Sequence, residues 1–134
     1  MTSPSLELQA AATVRLKAFA GLTSLISTRI YDNVPPIATF PYLSWGPEQS
    51  ISDDTDCTAG FDISIQVDAW SQTLGLGEVK RVSEQVRLAL HDYDLTLTDN
   101  ALVLLQHRQT TFLRDPDGKT NHAAIEFSAF IEQP

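Results

Sequence analysis

The chain has 134 residues, 43% of them apolar, and carries 17 acids against 9 bases for a formal net charge of -8. This length fits one domain, 1–134, with one ordinary core, and no apolar run approaches the ~18 residues of a membrane span. The bases are scattered, with only Lys80 and Arg81 adjacent, which excludes a protein that grips nucleic acid through a basic patch.

The N-terminal run MTSPSLELQ has no basic flank and no hydrophobic stretch, so it does not read as a signal peptide. Ser3 and Pro4 predict a helix start, as N-cap and first helical residue. Leu8, Ala12, Leu16 and Phe19 follow at helical spacing, and Ala11, Val14 and Ala18 widen the stripe. Gly21 is expected to end or kink this helix, with a short further turn at Leu22–Ser27. Arg29–Trp45, RIYDNVPPIATFPYLSW, is expected to be extended or looped, because Pro35, Pro36 and Pro41 lack an N–H and restrict the preceding residue. Tyr42–Trp45 fits a short edge strand. Gly46–Thr58 is polar and aperiodic and reads as a loop.

Phe61–Trp70 is the clearest strand. Phe61, Ile63, Ile65, Val67 and Ala69 alternate with Asp62, Ser64, Gln66, Asp68 and Trp70, giving one buried and one wet face. Leu74–Gly77 breaks it, and Glu78–His91 predicts a second helix with Val79, Val82, Val86, Ala89 and Leu90 inward. Leu95–Leu97 is a short strand candidate. Ala101–Leu113 and Thr120–Glu132 are two long strands about Asp115-Pro116-Asp117-Gly118, which matches a type I turn with glycine free to take the left-handed conformation. Leu102 and Leu104 are expected to share a face with Gln106, Arg108 and Thr110. An arm of this length spans about 43 Å fully extended, against about 36 Å for the whole domain. The arms therefore bend, or the tip leaves the body to pair with a neighbouring subunit. The order of elements predicts an α+β fold: an antiparallel or mixed sheet with a long C-terminal hairpin and two main helices on one face.

No catalytic constellation emerges, and the expectation is a protein that is not an enzyme and needs no metal or cofactor. Cys57 is the only cysteine, so it forms neither an intrachain disulfide nor a cysteine metal site, and synthesis in a reducing cytoplasm is expected. His91 closes a helix, where a positive side chain suits the dipole. His107 and His122 are expected to face each other across the hairpin, as a polar cross-strand pair or, in an alternative reading, as two ligands of a small metal-binding enzyme. Asp53, Asp54 and Asp56 lack the glycine and distal glutamate of a calcium loop.

Several motifs together resemble the tail-completion, or tail-terminator, family of long-tailed bacteriophages and gene transfer agents. They are Arg29-Ile30-Tyr31-Asp32-x-Val34-Pro35, Phe40-Pro41-Tyr42, Trp70-Ser71 with the glycines before Glu78, and Asp115-Pro116-Asp117-Gly118-Lys119-Thr120-x-His122 with Glu132 in the last strand. They run in order through nearly the whole chain. The resemblance implies a small α+β subunit of a homo-oligomeric ring, six copies in the family. That ring caps the head-proximal end of the tail tube, stops its growth and meets the head-tail connector or stopper. DNA would pass through it without specific binding. It implies a place in the tail of a phage-like virion, assembled from protein made in the bacterial cytoplasm and not in a membrane. The alternative within this class is a tube or stopper subunit. The family often has a basic residue after Trp-Ser and another before the histidine; here those places hold Gln72 and Asn121.

On this reading the proline-aromatic stretch is a preorganised contact surface. Tyr31, Pro35, Pro36, Phe40, Pro41, Tyr42 and Trp45 contribute to it, and Arg114, Asp115, Asp117 and Gly118 add the hairpin tip. Asp62 and Asp68, or Asp53, Asp54 and Asp56, are the expected acidic lining of the passage, where like charge keeps DNA from binding.

Overall fold

The computed structural model describes residues 2–134. Helix α1 spans Pro4–Ala18, α2 Ala20–Ile26 and α3 Gly77–Leu90; the strands are β1 Ile30–Tyr31, β2 Tyr42–Trp45, β3 Gln49–Ser52, β4 Ala59–Ser71, β5 Ala101–Arg114 and β6 Asn121–Gln133. As expected, Ser3 caps α1: its Oγ accepts from the Leu6 N–H, and Pro4 fills a position whose N–H has no helical partner anyway. The break between α1 and α2 falls at Phe19, whose backbone is extended, and Gly21 lies inside α2.

The strands form one mixed, mostly antiparallel sheet in the order β1-β2-β4-β6-β5, with β3 also paired to β4. Each of the pairings β3–β4, β4–β6 and β5–β6 is antiparallel, and the parallel β1–β2 pair closes one edge. β2 is therefore internal, and the two-residue β1 takes the edge place that Tyr42–Trp45 was expected to hold. Gln49–Ser52 forms a strand inside the expected loop, whereas Leu95–Leu97 forms none.

The three helices cover one face of the sheet. Ile63, Ile65, Val67 and Ala69 of β4 and Ala123, Ile125, Phe127, Ala129 and Ile131 of β6 meet Leu8, Ala12 and Leu16 of α1, Leu22 and Ile26 of α2, and Val79, Val82 and Val86 of α3. This is the period-two and period-3.6 burial expected from the sequence. Val14 departs from it and is exposed, because a helix lying on a sheet buries only a narrow stripe. Two bulges in β5, at Leu102/Leu104 and His107/Gln109, shift its register on β6. The first sets Leu102 opposite Ile131 on the core side and Leu104 opposite Phe130 on the other, so these leucines do not share a face. Among the described residues no helix is long and apolar enough to cross a membrane.

Candidate assembly surface

The face of the sheet turned away from the helices carries one cross-strand row. Tyr42 of β2 stands opposite Trp70 of β4, Trp70 opposite His122 of β6, and His122 opposite Leu113 of β5. The His122 ring stacks on the Trp70 indole, centroids 4.0 Å apart and planes 7° apart. Trp70 Nε1–H donates to Ser44 Oγ at 2.9 Å. His122 Nε2 and Asp68 Oδ1 are 2.7 Å apart, and the same carboxylate accepts from Gln66 Nε2 at 2.8 Å. Asp68 is 7% exposed, so these partners are what make its burial tolerable.

The proline-aromatic stretch extends the row past β2. Phe40 and Tyr31 pack on Tyr42 at 5.1 and 5.7 Å between centroids. Arg29 Nε–H donates to the Pro41 carbonyl at 2.9 Å, and Leu43 N–H donates to the Arg29 carbonyl, also at 2.9 Å. Pro35 and Pro36 are exposed in the loop between β1 and β2. Trp45 lies on the other side: its Nε1–H donates to Thr13 Oγ1 of α1 at 3.1 Å, and its ring packs against the core. Sheet alternation separates it from Tyr42.

The hairpin tip reaches the same end of the sheet. The Tyr42 phenol is pushed above its ordinary range by burial, then by the negative charge of Asp115 and by Tyr31. The turn itself is tightly built. Asp117 accepts from the N–H groups of Lys119 and Thr120, both at 2.9 Å, and from the Thr120 hydroxyl at 2.8 Å. Gly118 takes φ 72°, the left-handed conformation expected of it. Arg114, Asp117 and Gly118 are exposed at this tip. Asn121 Nδ2–H donates to the carbonyls of Thr73 and Gly75 at 3.0 and 2.8 Å, and Gln72 Nε2–H donates to Thr120 Oγ1 at 3.2 Å. The two neutral residues that stand where the resemblance led to bases thus tie the hairpin base to the β4–α3 loop.

The acids divide. Asp53, Asp54 and Asp56 lie in the loop joining β3 to β4, at the end of the sheet opposite the hairpin tip, with Asp62 beside Asp53. Asp54 Oδ1 accepts from the Gly60 N–H at 3.1 Å. Burial, and then the nearby Asp53, push the Asp62 carboxyl up. Asp68 belongs instead to the aromatic row. The histidines do not face each other: His107 pairs with Phe127 on the helix side and His122 with Leu113 on the open side. The strand bulge and the offset of their positions along the hairpin keep them from converging. His107 is pushed down by burial and by the charge of Arg87, and its Nε2 meets Thr110 Oγ1 at 2.8 Å.

Reading the sequence alone overlooked Trp70, Leu113 and His122 as members of a surface. The signal was present, since an aromatic residue at the wet position of an alternating strand is out of place on a solvated face. The β3 strand and the carboxylate of Glu7 were also overlooked. Glu7 accepts from the N–H groups of Thr98, Asp99 and Asn100, which hold its carboxyl below the usual range together with the Asn100 side chain.

The protein family described as "Tail completion protein gp17" matches residues 10–132. Among solved structures, a chain of the "Virion of native gene transfer agent (GTA) particle" is 28% identical with a TM-score of 0.91, covering 98% of this chain and 99% of that one. No curated protein matches the sequence.

Proposed function

The chain belongs to the tail completion protein family, and from that premise we propose that it is the tail terminator of a phage-like particle. As a structural protein of the tail it acts by contact. Six copies close a ring on the head-proximal end of the tail tube, stop its growth and offer the opposite face to the head connector. The observation that supports this best is the end-to-end likeness to a chain of a gene transfer agent virion, 98% of one and 99% of the other.

The row Tyr42–Trp70–His122–Leu113, extended by Tyr31 and Phe40 and flanked by the Asp115–Gly118 tip, is the surface that meets the tube or the connector. Prolines and stacked rings lower the entropy lost on docking, and aromatic side chains supply contact area. The acidic end of the sheet faces the passage with Asp56 and Asp62, where like charge keeps the genome from sticking.

Native mass spectrometry of the purified protein, alone and mixed with the tail-tube protein of the same particle, tests the reading. The expected result is a sixfold mass or a tube capped by a single ring. Stacks that lengthen without limit point to a tube subunit. A chain that stays monomeric and ignores the tube overturns the proposal.

A further inference from the structure

The sheet has two free edges of opposite charge. At the outer edge of β5, Asp92 N–H donates to the Leu105 carbonyl at 2.8 Å, and His107 N–H donates to His91 Nδ1 at 3.0 Å. The α3–β5 connection thus covers the middle of that edge. From Arg108 to Arg114 no further backbone bond reaches it among the described residues. This stretch, RQTTFLR, has a guanidinium at each end, and β5 contains no acid. The Lys80 ammonium, 5.3 Å from the Phe112 ring, adds a third cation on the helix side.

The second edge is β3. All four of its residues are exposed, Ile51 by 53%, and it pairs only with β4. It runs from Glu48 to Asp53 and Asp54, and no Lys or Arg occurs between Arg29 and Lys80. Natural proteins cover or charge exposed strand edges to stop pairing. Here the uncovered stretch of β5 and the flanks of β3 each carry one sign of charge, which repels its own kind and attracts the other edge.

We infer that copies of this chain join head to tail, the Arg108–Arg114 edge of β5 in one copy adding the Gln49–Ser52 strand of the next. The inference rests on the ring reading above and names its subunit contact. Strand directions favour it. The antiparallel pairings make β3, β4, β6 and β5 alternate, so β3 of an unflipped neighbour meets β5 antiparallel, as the sheet requires. Spacing favours it too. Arg108 and Arg114 are as far apart in sequence as Glu48 and Asp54, about 20 Å along an extended strand. Antiparallel pairing then brings Arg108 to Asp53 and Asp54, and Arg114 to Glu48. A guanidinium beside Asp53 also relieves the crowding of Asp53 on Asp62. The contact joins two different patches, so it is heterologous. It closes a ring when the rotation per copy divides a full turn and otherwise builds a filament.

Charge reversal tests it. One chain carries R108E and R114E; a second carries E48K, D53K and D54K. Each is checked for wild-type circular dichroism and measured by native mass spectrometry and sedimentation, alone and mixed. Where wild type forms the ring, each variant alone is expected to dissociate, with at least a tenfold weaker assembly. An equimolar mixture regains the wild-type oligomer, because every contact then pairs opposite charges. Variants that keep the wild-type mass alone, or folded variants that stay monomeric when mixed, overturn the edge assignment and leave the ring reading standing. Loss of tube capping with the oligomer intact assigns the β5 edge to the tube and overturns it equally. A wild type that is monomeric with and without tube protein ends both.

Discussion

The imidazole of His122 lies flat on the indole of Trp70, 4.0 Å between centroids, while its Nε2 holds the Asp68 carboxylate at 2.7 Å. One residue therefore serves the aromatic row and, among the described residues, the only strongly buried acid on that face. His122→Ala removes both contacts and strands Asp68 with Gln66 alone. The expected loss is about 1–3 kcal/mol of stability, the cost of leaving a buried polar group without its partner. His122→Phe keeps the ring on the indole and recovers only the packing share. Urea unfolding of wild type and the two variants separates the terms, and a His122→Phe midpoint equal to that of wild type would show that the Asp68 contact contributes nothing.

Gly46 is coupled to the same carboxylate. A Cβ at this position would stand 2.5 Å from Asp68 Oδ2 and 3.2 Å from Gln66 Nε2. Gly46→Ala must displace a carboxylate that two donors already fix, so it destabilises. Combined with His122→Ala its effect is less than additive, since the first change already loosens Asp68. A double-mutant cycle by chemical unfolding measures this, and strict additivity would mean that the two residues do not act through Asp68.

Most of the frame was legible because it rests on periodicity. The alternation of Phe61–Trp70, the stripe of α3 and the Asp115–Gly118 turn each follow from local chemistry, and each is where the sequence placed it. The errors lie where distant residues decide. Nothing local in Gln49–Ser52 marks a strand, because its pairing is supplied by β4. The β5 bulges, which put Leu102 and Leu104 on opposite faces and turn His107 to the helix side, depend on fitting a long arm to β6; the distance of His107 from His122 follows instead from the turn, which sets His122 opposite Leu113. Nearness in sequence groups Trp45 with Tyr42 in one adhesive stretch, although residues an odd number apart in a strand point to opposite faces. The proposed contact surface is only half local: Tyr31, Phe40 and Tyr42 are near in sequence, while Trp70, His122 and Leu113 join them through sheet register.

The hairpin turn gives a prediction in pH. The N–H groups of Lys119 and Thr120, and then the Thr120 hydroxyl, hold the Asp117 carboxyl below its ordinary 3.8. A carboxylate depressed on folding contributes stability that is fully present above its unfolded pKa and is lost as pH falls through the folded value. The Asp117 contribution is therefore constant at neutral pH and disappears only below about pH 4. Asp117→Asn is expected to flatten the acid limb of hairpin stability, read by amide exchange at Lys119 and Thr120. Wild-type exchange that already loosens between pH 7 and 5 would contradict this assignment.

Leu113 and Trp45 offer a paired test of which face does the docking. Leu113 is 46% exposed and ends the row, so Leu113→Asp should leave stability within about 0.5 kcal/mol of wild type. It places a charge within the proposed contact, and binding to tube or connector protein is expected to fall at least tenfold, about 1.4 kcal/mol. Trp45→Phe removes the bond to Thr13 on the helix side. It is expected to cost stability, about 1 kcal/mol for the lost hydrogen bond, without changing that binding. Calorimetric melting and a binding titration on the same samples give both quantities. If Trp45→Phe weakened binding and Leu113→Asp did not, the contact would lie on the helical side of the sheet, and the aromatic row would be a structural brace between β2, β4, β6 and β5.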